Sequence, residues 1–99
     1  MKNYLPKDLE QKILKILKKY CPKDTEFILF GSFTSGKYTD KSDIDVAIKG
    51  QQPLDTAIWT KIEEAFEESD ITRKVDVLDF YRVKKEFQEV INKTGINLK

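Results

Sequence analysis

Histidine is absent from the 99-residue chain, and cysteine occurs once, at Cys21. The first absence removes Ser-His-Asp triads, Cys-His pairs, His-ligated zinc and imidazole acid–base chemistry. The second excludes an internal disulfide and any Cys-cluster zinc site. Catalysis, if present, must rest on carboxylates, lysines, hydroxyls or a bound cation. No apolar run approaches the ~20 residues of a membrane span. The Lys-rich, amphipathic N-terminus has no h-region and does not read as a secretory signal. A cytoplasmic protein with one reduced thiol is the expectation. No charge sign dominates either: 18 Lys+Arg stand against 17 Asp+Glu, for a formal net charge of +1. Nothing in that balance suggests a nucleic-acid coat protein or an acidic solvating tail.

What is present reads as one folded, highly charged domain over residues 1–99, with 39% apolar and 35% charged residues. A domain of this size buries roughly two-thirds of its unfolded surface, enough for a core without metal or disulfide staples. Charge is unevenly distributed. Residues 1–23 carry a net +5, residues 24–60 a net −3 and residues 61–99 a net −1.

Leu9, Ile13, Ile16, Leu17 and Tyr20 recur with helical period, and Pro6 and Pro22 bracket them. Phe27-Ile28-Leu29-Phe30 is a short continuous apolar run closed by Gly31, the pattern of a buried strand. Residues 31–42 form a loop with room for one helical turn. Residues 43–48 alternate, with Asp43, Asp45 and Ala47 on one face and Ile44, Val46 and Ile48 on the other. After the turn Gly50–Pro53, residues Leu54, Ile58, Ile62, Ala65 and Phe66 mark a second long helix. Residues 75–80 read as a third strand. Val83, Phe87, Val90 and Ile91 mark a final helix that stops near Gly95. Counting the turn after Gly31, the order is α-β-α-β-α-β-α.

The informative stretch is Gly31-Ser32, then Asp43-Ile44-Asp45. Carboxylates at i and i+2 of a strand share a face, with Cα atoms ~6.6 Å apart. At an effective dielectric near 20, two unit charges ~4 Å apart repel by about 4 kcal/mol. A cation offsets that repulsion, or one pKa rises. With no imidazole or thiolate cluster, hard oxygen donors select Mg²⁺ or Mn²⁺. The competing reading is a solvated polar strand face, but Asp is depleted in strands and two within this apolar run need a reason. Asp76 adds a third carboxylate from a later strand. Asp79 has the opposite parity and reads as a cap on the final helix. Three carboxylates from two strands suit two Mg²⁺ ions roughly 3.5–4 Å apart.

Gly31 lets a phosphate approach the backbone, and Ser32 can donate a hydroxyl to it. Gly31 through Gly36-Lys37 also imitates a P-loop. Tyr38 stands where that loop needs Ser or Thr, and no helix of normal length fits before Asp43, so the P-loop reading fails. The Lys-rich first helix reads as a solvated face rather than an RNA surface. Neither nucleic acid nor membrane is expected as a direct ligand. Cys21 reads as inert packing at a helix end, and Trp59 as packing at the core edge or a partner contact.

Gly31-Ser32, Asp43-Ile44-Asp45 and Asp76 together resemble the DNA polymerase β-like nucleotidyltransferase superfamily. The chain's size and the stretch Ser42–Ile48 resemble its minimal nucleotidyltransferase branch. The resemblance implies an α+β fold, a small mixed sheet of three or four strands flanked by helices. It implies Mg²⁺ at Asp43, Asp45 and Asp76, a nucleoside triphosphate at Gly31-Ser32, and transfer of a nucleoside monophosphate, AMP from ATP, to a hydroxyl. Asp76 would assist deprotonation of the acceptor. Family members often carry a basic residue directly after Gly-Ser, where this chain has Phe33-Thr34-Ser35. Lys37 and Lys41 are the candidates to supply that charge, and solvated loop lysines are the competing reading. The resemblance further implies a separately encoded helical partner, either an acceptor-binding subunit or a HEPN protein of a toxin–antitoxin pair. The alternative role is an antitoxin-like binding module that neutralises such a partner.

Overall fold

The computed structural model describes residues 1–99. Helix α1 spans Lys7–Tyr20, with Asp8 and Glu10 in its first turn and Lys18 and Lys19 in its last. Both placements complement the helix dipole. Strand β1 is Glu26–Phe30, helix α2 is the single turn Ser32–Ser35, and strand β2 is Ile44–Lys49. Helix α3, Thr56–Glu68, starts at Asp55, whose side chain accepts from the Ala57 N–H. Strand β3 is Val75–Asp79, followed by a 3-10 turn at Phe80–Arg82. Helix α4 is Lys85–Thr94 and strand β4 is Ile96–Asn97.

The four strands lie in the order β3-β2-β1-β4. β1 runs antiparallel to β2 and to β4, while β2 and β3 are parallel. Parallel neighbours need a crossover, and α3 provides it. The expected mixed sheet is therefore present. Its fourth strand is short and was not distinguished in the residue pattern.

Two apolar layers sandwich the sheet. Ile13, Leu14 and Leu17 of α1 and Ile62 of α3 meet Leu29, Ile44, Val46 and Ile48, all 2% exposed or less. Burying each such side chain contributes roughly 1.5–3 kcal/mol. Across the sheet, Ile28, Phe30 and Ala47 meet Phe80 and Ile91 in a smaller cluster.

Three sequence expectations change in detail. On α1, Leu14 and Glu10 are buried beyond the stripe read from periodicity, and Glu10 accepts from the Asn3 side chain at 2.8 Å. On α4, only Ile91 is fully buried, while Phe87 and Val90 are 39% and 50% exposed. The smaller layer is too narrow to cover the whole apolar stripe of that helix.

The third change concerns Asp79. It does not cap α4. It caps the 3-10 turn, accepting from Tyr81 N–H at 3.0 Å, and its second oxygen accepts from Leu54 N–H at 2.8 Å. Arg82 Nε lies 3.5 Å from that same oxygen. Asp79 is buried and staples the end of β3 to the approach to α3. Its replacement by Ala strands two backbone donors, one of them buried. Asp79→Ala is expected to lower stability by about 2–3 kcal/mol in urea denaturation, with little effect on chemistry at Asp76.

Candidate active site

The pairing register brings the site together. Asp45 on β2 stands directly opposite Asp76 on β3, and opposite Phe30 on β1. Neighbouring strands are ~4.8 Å apart, so the two carboxylates project side by side from one face. That face is shared with Ala47 and Leu78 and belongs to the smaller apolar cluster, on the side of α4. Alternation sends Ile44, Val46 and Ile48 to the opposite layer. Asp79 points to that opposite side, where it meets Leu54, as its parity requires. Asp43 lies one residue before β2, and its Oδ2 is 3.9 Å from Lys74 Nζ.

Gly31 closes the other side. Its φ of +80° lies in the left-handed region that favours glycine. A Cβ at Gly31 would stand 2.5 Å from Asp45 Oδ2. The missing side chain thus leaves the space that the carboxylate occupies. Gly31 C=O accepts from the N–H groups of Thr34 and Ser35, at 3.1 and 3.3 Å, and from Thr34 Oγ1 at 2.9 Å. These bonds bend the chain into α2. The helix itself offers no partner to the N–H groups of Ser32 and Phe33. Ser32, at the start of α2, is half-buried.

Crowding marks the electrostatics. Burial, followed by the charges of Asp76 and Asp43, pushes the Asp45 carboxyl up to about 6. The donor set fits a hard divalent cation: every candidate ligand is a carboxylate oxygen, and the central one is held against its own charge. As they stand, no three acidic side chains converge closely enough to hold a metal ion by themselves. Lys37 and Lys41 are exposed and make no ion pair. A groove of about 440 Å³ runs from Asp76 along β3, lined by Glu63, Phe66, Glu67, Arg73 and Lys74. A slightly larger hollow, about 480 Å³, lies at Gly50–Asp55, beyond the far end of β2 and away from the carboxylates.

Two basic residues near the site were not singled out in the sequence. Lys74 neighbours Asp43, and Arg73 bonds to the loop before it. Composition offered one signal, since Arg73 and Arg82 are the only arginines beside 16 lysines. Cys21 closes α1 and packs against the main core, where burial pushes its thiol up to about 11. That keeps the thiol protonated at neutral pH, in line with a packing role at the helix end. Trp59 packs at the edge of the same core.

A glycine turn facing strand-borne carboxylates on a small mixed sheet is the arrangement of a polymerase β-type nucleotidyltransferase. The chain belongs to that family, matching polymerase beta nucleotidyltransferases over residues 11–99. Within it, the chain is a minimal nucleotidyltransferase. It is 37% identical over 90 residues to the probable protein adenylyltransferase MntA of Haemophilus influenzae, spanning 91% of this chain and 79% of that protein. Among solved structures, it resembles a toxin–antitoxin crystal structure with AMP-PNP (TM-score 0.69, 28% identity, 91% of this chain and 72% of that one). It also resembles a chain in the structure of a tri-AMPylated Shewanella oneidensis HEPN toxin in complex with MNT antitoxin (TM-score 0.63, 26% identity, 92% and 69% of the chains).

Proposed function

We propose that this nucleotidyltransferase moves AMP from ATP to a hydroxyl group on a separately encoded HEPN-type partner. The observation that carries the reading is the Asp45–Asp76 pair, in register on adjacent strands, with Gly31 opened against Asp45. The relatives named above support the nucleotide and the partner class.

Gly31 and Ser32 seat the triphosphate, the glycine by allowing close backbone approach and the serine by donating its hydroxyl. Lys37 and Lys41, exposed on the loop that follows, are the candidates to neutralise its outer phosphates. Asp43, Asp45 and Asp76 would hold Mg²⁺, or Mn²⁺, which supplies charge neutralisation at the phosphates and a more acidic acceptor hydroxyl. Asp45, placed centrally between Asp43 and Asp76, would share that cation and through it hold the nucleotide's phosphates. Asp76, exposed on the edge strand, takes the acceptor's proton as its oxygen bonds to the α-phosphorus. The bond between that phosphorus and the bridging oxygen breaks, and pyrophosphate leaves.

The test is incubation of the chain, with and without the protein encoded beside it, with ATP labelled in the α-phosphate and Mg²⁺. Label on the neighbour is the expected result. Vigorous labelling of free small alcohols by the chain alone would overturn the two-chain reading, because an unheld acceptor forfeits the positioning that drives phosphoryl transfer.

The toxin–antitoxin setting of the similar structures favours a second reading, in which binding alone neutralises the partner. That reading requires an Asp45→Asn variant to silence the partner as well as wild type does.

A further inference from the structure

Arg73 stands two residues before β3 and reaches the loop that precedes Asp43. Its Nη1 donates to the carbonyl oxygens of Thr39 and Ser42, at 3.0 and 2.7 Å. Its guanidinium carbon lies 5.3 Å from the centre of the Phe33 ring. Phe33 directly follows Ser32 and is buried, and Ser42 directly precedes Asp43. One side chain therefore touches the residue after the glycine turn and the residue before the first carboxylate.

Apart from a tilted contact of Tyr38 with Tyr4 at 5.8 Å and the bond from Ile44 N–H to Lys74 C=O at 2.9 Å, the remaining bonds of that loop are its own. Thr39 N–H donates to Ser42 Oγ at 2.8 Å, Ser42 N–H to Thr39 C=O at 3.1 Å and Lys41 N–H to Thr39 Oγ1 at 3.2 Å. These bonds close the turn upon itself and leave it exposed. The ring of Tyr38 stacks on Phe33 with centroids 4.7 Å apart and planes 10° from parallel. Beyond that stack, the Arg73 bonds are the only side-chain hydrogen bonds between residues 36–42 and β3 or its approach. A guanidinium suits the task because its planar face stacks on a ring while its edge donates to carbonyls. An ammonium cannot do both in the same geometry.

We propose that Arg73 is a positioning residue for nucleotidyl transfer. It clamps the 39–42 turn against Phe33 and so sets the Asp43 carboxylate relative to Gly31-Ser32. The proposal rests on the function proposed above, but its signature in the backbone does not.

The experiment compares wild type, Arg73→Lys and Arg73→Ala in the full chain with its partner. Arg73→Ala is expected to lower kcat roughly 30- to 100-fold, the scale of loss that follows a misplacement of about 1 Å. The loss should exceed any fall in the folded fraction seen by circular dichroism. Arg73→Lys should fall between the two, and added methylguanidinium should restore part of the Arg73→Ala rate. Independently, amides of residues 39–45 should exchange faster in Arg73→Ala, while those of β1 stay protected. Activity within twofold of wild type, or a loss matching the unfolded fraction, would overturn the proposal. If wild type itself transfers nothing, the proposed function fails instead. Amide exchange then decides the positioning role, and unchanged rates at residues 39–45 would end it.

Discussion

Replacing Asp45 by Asn is expected to abolish transfer and to make the ligand-free chain more stable. The two effects have one origin. Asp45 is flanked by Asp43 and Asp76, half-buried, and its carboxyl is pushed up to about 6. A carboxyl with a raised pKa binds its proton more tightly in the folded chain than in the unfolded one. Its contribution therefore favours folding below about pH 4 and is lost as the pH rises towards 6. Above pH 6 the ionised group opposes folding, by about 1–2 kcal/mol once partial exposure to solvent is allowed for. Asparagine carries no charge, so Asp45→Asn should be more stable than wild type by that amount at pH 7–8. The difference should shrink as the pH is lowered from 6 to 4, as urea denaturation across that range would show. Transfer should fall at least ~1000-fold, because a central carboxylate of the reacting centre is gone. Equal ATP binding by wild type and the Asp43→Asn, Asp45→Asn double variant in calorimetry with Mg²⁺ would contradict the assigned role.

Gly31→Ala is expected to damage both stability and chemistry, in contrast to the split behaviour at Asp45. The new methyl group would meet Asp45 Oδ2 at 2.5 Å on a backbone at φ +80°. With ψ at −147°, this is a backbone region populated essentially by glycine alone, and it costs a non-glycine residue about 1–3 kcal/mol. Asp45 can swing its carboxylate aside to relieve the contact, but that displacement removes the group from its place opposite Asp76. Stability should fall by about 1–3 kcal/mol and transfer by roughly 100-fold. Calorimetric unfolding and labelled-AMP transfer measure the two separately. Retained transfer would mean that Asp45 acts from more than one position.

The parts of the fold that were legible in the sequence are those where one periodicity acts alone. The run Phe27–Phe30 is apolar on both faces because helices α1 and α3 cover one side of β1, and α4 with the 3-10 turn covers the other. The parity that separates Asp76 from Asp79 survives because β3 is regular from Val75 to Asp79. Gly31, Ser32, Asp43, Asp45 and Asp76 were all legible as candidates, and the register adds that Asp45 and Asp76 are direct neighbours. What escaped depends on contacts between distant segments. Glu10 is buried because Asn3 folds back onto it. Asp79 binds Leu54, 25 residues away, which no local capping pattern encodes. Arg73 bonds backbone carbonyls, which leave no mark on residue identities.

The parallel pairing of β2 with β3 also makes the site depend on a non-local strand contact. β1 and β2 are joined by residues 31–43, whereas β2 and β3 are joined by the longer segment 50–74 that carries the α3 crossover. Loop closure over the longer separation is the slower step. That same step draws Asp76 alongside Asp45, so the two like charges oppose the closing move itself. The antiparallel half can assemble with its apolar contacts unopposed, and the catalytic face is completed against its own electrostatic resistance. A chain in which β3 has not paired with β2 therefore lacks the Asp45–Asp76 neighbourhood on which the proposed chemistry rests.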